Sequence, residues 1–89
     1  MPSREVLIVN RRGLHARAAA KFVKLASGFD AQVQVEKQGT SVSGSSIMGL
    51  MMLAAAPGTT LTIEARGPAA DQVLGALAQL VADGFHETD

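Results

Sequence analysis

The chain has 89 residues and a mass of 9.2 kDa, with eight Lys plus Arg balanced by eight Asp plus Glu and no cysteine. At the usual ~100 to 150 residues per domain this is material for one domain, residues 1–89, too short for separate cofactor and substrate domains. Without cysteine there is no disulfide framework, zinc ribbon or iron-sulfur cluster, so a core drawn from the 47% hydrophobic residues must hold the fold alone.

Glu5 to Val9 (EVLIV) is a short apolar run closed by Asn10-Arg11-Arg12-Gly13, which predicts a mostly buried strand ending in a loop. From Ala16 to Ser27 the period changes: Ala19, Phe22, Val23 and Ala26 recur at helical spacing, and Gly28 supplies a stop. On another face of that helix Arg17, Lys21 and Lys24 form a basic stripe. Ala31 to Glu36 and Thr40 to Ser43 alternate around Gln38-Gly39, predicting a hairpin. Ser46 is a candidate N-cap for a short helix over Ile47 to Ala54, with Leu50, Leu53 and Ala54 toward the core and Pro57-Gly58 as its end. Thr59 to Ala65 alternates again. Gly67-Pro68 opens a last helix whose Ala70, Val73, Leu74, Leu77, Leu80 and Val81 form a wide apolar stripe before Gly84. Strands and helices interleaved in the order βαββαβα predict a sheet with one face covered by helices and the other facing water.

The longest apolar stretch, Leu50 to Ala56, is far shorter than a membrane span, and no basic start runs into a long apolar segment and cleavage site. The expectation is a soluble, cytoplasmic, monomeric protein with no membrane insertion. Only Phe22, Phe29 and Phe85 are aromatic, poor material for stacking bases, so nucleic acid is not an expected partner.

The zero net charge conceals an uneven distribution. No acid occurs between Glu5 and Asp30, while Arg11, Arg12, Arg17, Lys21 and Lys24 lie close together; Asp83, Glu87 and Asp89 crowd the C-terminal end. Inside the basic cluster stands His15, at the junction of the first strand and first helix. A helix N-terminus with unpaired backbone N–H groups is an anion site. The helix dipole and nearby cations disfavour a further positive charge on the imidazole, which keeps a lone pair available for attack. The Arg17 guanidinium would hold phosphate oxygens bidentately. Phosphoryl transfer needs mainly positioning and charge stabilisation, which a small domain can provide. There is no Walker motif and no carboxylate cluster for Mg²⁺, so no cofactor and no metal are expected and the donor chemistry belongs to a partner. His86 has neither a helix end nor a cationic neighbour in sequence, and no role is assigned to it.

Arg12-Gly13-Leu14-His15-Ala16-Arg17, followed some thirty residues later by Ser45-Ser46-Ile47-Met48-Gly49-Leu50-Met51, closely resembles the HPr family of histidine phosphocarriers of the bacterial phosphotransferase system, over essentially the whole chain. The resemblance implies an α+β open-faced sandwich, a four-stranded antiparallel sheet covered on one face by three helices. It implies that His15 accepts a phosphoryl group at Nδ1 from phosphorylated enzyme I and passes it to an enzyme II A domain, with Arg17 binding the phosphate: a relay rather than a stand-alone enzyme. The family usually has proline after the alanine and arginine that match Ala16-Arg17; here Ala18 stands there, which loosens the helix start slightly and leaves one more backbone donor near the phosphate.

In the family the serine matching Ser46 is also a regulatory target, which implies HPr kinase/phosphorylase as a further partner. As an N-cap alone Ser46 contributes about 1 kcal/mol. Phosphate there is compatible with the helix terminus and would place negative charge beside the docking surface. The partner surface implied by family and pattern comprises Arg12, Ala16, Ala18, Lys21, Lys24, Ile47, Met48 and Met51, the methionines being adaptable enough for several partners. An alternative reading from a different class is a regulatory, nitrogen-branch interaction module whose phosphorylation state controls its partners.

Overall fold

A computed structural model describes residues 2–87. Among them the chain runs β1 (Ser3–Leu7), α1 (Ala16–Ser27), β2 (Gln32–Lys37), β3 (Thr40–Ser43), α2 (Ile47–Met52), β4 (Thr60–Arg66) and α3 (Ala70–Ala82), followed by a single turn at Gly84–His86. The strands form one antiparallel sheet in the order β1-β4-β2-β3, covered on one face by the three helices, as the element order predicts.

Alternation in the strands sets the two faces of the sheet. Val6 and Ile8, Val33 and Val35, and Leu61, Ile63 and Ala65 point under the helices and are buried. The expected mostly buried run at Glu5 to Val9 is corrected here: Leu7 and Val9 are about half exposed, at 50% and 51%, because only alternate residues reach the covered face. The strand also begins earlier and ends earlier than the apolar run suggests. Phe22 from α1, Leu50 from α2 and Val73, Leu77 and Val81 from α3 meet the sheet and are fully buried. Complete burial of such a side chain contributes roughly 1.5 to 3 kcal/mol.

Local signals account for the connections. Gln38 and Gly39 both have left-handed φ, +49° and +87°, the pairing that a two-residue hairpin turn demands, and they place Lys37 opposite Thr40. Ser46 caps α2 by accepting from the Gly49 N–H at 2.9 Å. The end of α2 differs from the expectation. Ala54 adopts φ +52° and stops the helix before Pro57-Gly58, so Ala54 is exposed and Ala55 takes its place in the core. Lys37 of β2 donates from Nζ to the carbonyls of Leu53 and Ala54 at 2.8 and 3.3 Å, satisfying the end that no glycine caps.

Candidate functional site

The segment between β1 and α1 holds its shape through backbone contacts to the loop after α2. The Leu14 N–H donates to the Ala55 carbonyl at 2.9 Å and the Gly13 N–H to the Asn10 carbonyl at 3.2 Å. Gly13 has φ +66°, and a Cβ there would lie 2.4 Å from the same Ala55 oxygen, so only glycine allows the approach. The next residue but one, His15, is the N-cap of α1: its backbone is extended, its carbonyl accepts from the Ala19 N–H at 2.8 Å, and its side chain makes no capping bond. The imidazole is thereby released from the helix it begins. The N–H groups of Ala16, Arg17 and Ala18 have no carbonyl one turn earlier within the helix to bind.

Arg17, Lys21 and Lys24 are exposed along α1, as are Arg12 and Ala16. Ala18 is a correction: it is fully buried, so its side chain packs into the core and offers a partner no contact surface. Ile47, Met48 and Met51 are exposed at 40%, 70% and 40%, an apolar patch on α2, which packs against α1. Met52 is exposed as well. A surface concavity of about 470 Å³, lined by residues such as Phe29, Val33, Ser43 and Ser45, includes neither His15 nor Arg17. The His15 side chain retains 17% exposure on an open surface, suited to a reactant carried by another protein rather than to an enclosed small molecule.

Sequence reasoning missed Glu87. In the sequence Glu87 belongs to an acidic C-terminal end far from the basic cluster, whereas in the structure it returns to the first helix and its Oε2 accepts from His15 Nε2. Its Oε1 accepts from Asn10 Nδ2 at 2.9 Å, and the same amide donates to the Gly13 carbonyl at 2.8 Å. Asn10 is thus the one buried polar residue among those described, bracing the histidine loop and the carboxylate together. Burial raises the Glu87 pKa, but the hydrogen bonds from Asn10 and His15 and the charges of His15 and Arg12 outweigh it and leave the carboxyl below its ordinary 4.5. The Arg12 charge acts on this carboxyl, and Lys21 Nζ donates to the Phe85 carbonyl at 2.7 Å, two residues before Glu87. The expectation that cations and the helix dipole alone set the surroundings of His15 therefore omitted a partly buried carboxylate of opposite sign. No local sequence signal pointed to it. His86 is exposed, its Nδ1 3.9 Å from Asp83, and Asp89 lies outside the described residues.

A family model described as the PTS HPr component phosphorylation site matches residues 2–83. The chain belongs to the HPr family. It is 48% identical over 88 residues to the phosphocarrier protein HPr of Pseudomonas aeruginosa, covering 98% of each chain. It is 43% identical over 84 residues to the phosphocarrier protein NPr of Shewanella violacea, covering 94% of this chain and 92% of that one. The crystal structure of HPr-C-His from Thermoanaerobacter tengcongensis superposes with a TM-score of 0.94 at 38% identity, covering 100% of both chains. The open-faced sandwich expected from the resemblance is the fold observed, and membership makes the chain a phosphocarrier of the phosphotransferase system, whose partners are other proteins of that system. Among the described residues no group of three or more His, Asp or Glu could hold a metal ion, and no helix is long and apolar enough to cross a membrane.

Proposed function

We propose that His15 is the residue that carries the phosphoryl group, accepting it at Nδ1 from phosphorylated enzyme I and passing it to an enzyme II A domain, in the cytoplasm and as a monomer. The observation that carries this reading is the placement of the imidazole at the N-cap of α1, uninvolved in capping, beside the first-turn N–H groups. Arg17, exposed on the same turn, supplies a planar fork for two phosphate oxygens. The stripe of Lys21 and Lys24 with Arg12 steers acidic partner surfaces, and Ile47, Met48 and Met51 provide the apolar contact. The test is to incubate the protein with enzyme I and phosphoenolpyruvate. An acid-labile, base-stable phosphate is expected that disappears in His15→Ala; a label that survives that substitution overturns the assignment.

Ser46 fits a second, regulatory role. Its hydroxyl is half-buried and already accepts from the Gly49 N–H, so a phosphate on it would retain an acceptor at the helix terminus while adding negative charge next to the apolar patch. HPr kinase/phosphorylase is the enzyme such a site requires. The similarity to an NPr protein as well as to HPr proteins favours weighing a nitrogen-branch regulatory role beside sugar uptake. A pull-down that compares the native chain with Ser46→Asp separates the possibilities: identical partner sets would argue against a switch at this serine.

A further inference from the structure

The readily oxidised side chains of this chain gather on α2. The sequence has no Cys, Trp or Tyr and four methionines, three of them, Met48, Met51 and Met52, within residues 48–52. The buried core is built from Ala, Val, Leu, Ile and Phe, so none of the described methionines lies inside it. Met48 and Met51, 70% and 40% exposed, share one helix face at i, i+3 spacing, while the fully buried Leu50 between them points to the core. Met52 is 79% exposed but lines a concavity with Lys37, Gln38 and Thr40 that contains none of Ile47, Met48 and Met51.

An exposed thioether is open to two-electron oxidants, and here no thiol competes for them. We propose that Met48 and Met51 are a reversible oxidation site, at which a hydroperoxide converts the apolar docking patch into a polar one and weakens partner binding. The proposal rests on the reading of Ile47, Met48 and Met51 as the partner contact. With hydrogen peroxide, a sulfur lone pair attacks one oxygen, the S–O bond forms and the O–O bond breaks. The departing hydroxide takes the proton of the transferred oxygen and leaves as water. Sulfur loses two electrons and the peroxide gains them. The sulfoxide oxygen is a strong acceptor that an apolar partner surface leaves without a donor. Because no described methionine supports the core, the fold should survive the change. Reduction by the two methionine sulfoxide reductases, one for each epimer, restores the thioether.

The test treats the full chain with hydrogen peroxide, maps the sulfoxides by peptide mass spectrometry and measures phosphoryl transfer from enzyme I. With Met48 and Met51 oxidised, the KM of enzyme I for the protein should rise roughly tenfold, the order expected of one polar group buried without a partner. The kcat should stay within about twofold, since the loss is of binding alone. The thermal midpoint should move by less than about 4 °C, as for a surface change. Reductase treatment should return KM to its starting value. In Met48→Leu/Met51→Leu the ratio of treated to untreated KM should be about one, whatever the untreated value. Met52→Leu should leave both the untreated KM and its rise on oxidation as in the native chain. An unchanged KM with both sulfoxides present, a rise that the reductases do not reverse, or a rise that persists in the double variant would overturn the proposal. Ile47→Gln makes the patch polar without any oxidant and keeps the two readings apart. A raised KM in Ile47→Gln beside an unchanged KM after oxidation overturns the oxidation site alone; an unchanged KM in both removes the docking reading and the proposal with it.

Discussion

Replacing Gly13 by alanine isolates the contact that shapes the histidine loop. At φ +66° an alanine occupies the left-handed region at a cost of about 1 to 2 kcal/mol. Its Cβ would stand 2.4 Å from the Ala55 oxygen. Ordinary C···O contacts begin near 3.3 Å, so the two loops must part by about 1 Å. That separation breaks the Leu14 N–H bond to the same oxygen, 2.9 Å long. Leaving this donor of a buried residue unpaired costs about 1 to 3 kcal/mol. Restricting the unfolded chain returns about 0.4 to 1 kcal/mol, for a net loss centred at about 3 kcal/mol. Gly39→Ala is the matched control: φ is +87°, but a Cβ there meets nothing within 4 Å, so only the backbone cost applies. It should lose about 1 kcal/mol or less. For a domain this small the midpoints of thermal unfolding should fall by roughly 10 to 20 °C for Gly13→Ala and by less than about 8 °C for Gly39→Ala. Urea denaturation and calorimetry measure both. Equal losses in the two variants, within about 0.5 kcal/mol, would refute the claim that the approach to Ala55 is what excludes a side chain at Gly13.

Other substitutions probe the remaining supports of the site. Ser46→Ala removes the acceptor of the Gly49 N–H and should cost about 1 kcal/mol, with Ser46→Asp recovering most of it because an acid caps the same donor; chemical denaturation reads both. Phe85→Ala empties a fully buried ring site and should cost about 3 to 5 kcal/mol by the same method. The Glu87 carboxyl has a folded pKa below the ordinary 4.5, so its ionised form stabilises the native state. That contribution is present in full above about pH 4.5 and is lost as pH falls through the lower folded value. Accordingly the native chain should exceed Glu87→Gln in stability at pH 7, and the difference should shrink at pH 3; a difference independent of pH would contradict the stabilisation of an ionised Glu87 by its hydrogen bonds and neighbouring charge.

The sequence by itself determined what depends on neighbours along the chain. His15 at a helix start, the Gln38-Gly39 hairpin, the Ser46 cap and the helical stripe of α3 are each decided within a few residues, by backbone preference and by periodicity. Composition and alternation were sufficient for a one-sided sheet, although the all-apolar run at Glu5 to Val9 hid which residues face inward until β4 paired with it. The break of α2 at Ala54 was not legible, because alanine ordinarily continues a helix and the Lys37 side chain that caps its end comes from another strand. Least legible was the union of His15 with Glu87, 72 residues apart. Local preference opposes the left-handed turn at Phe85 and His86, and it persists because core burial of Phe85 and the Lys21 bond outweigh that preference. A sequence with zero net charge and two separate poles therefore folds into a site where the acidic end meets the basic one. The charges were countable from composition, but only the packing of the core decided that they would touch.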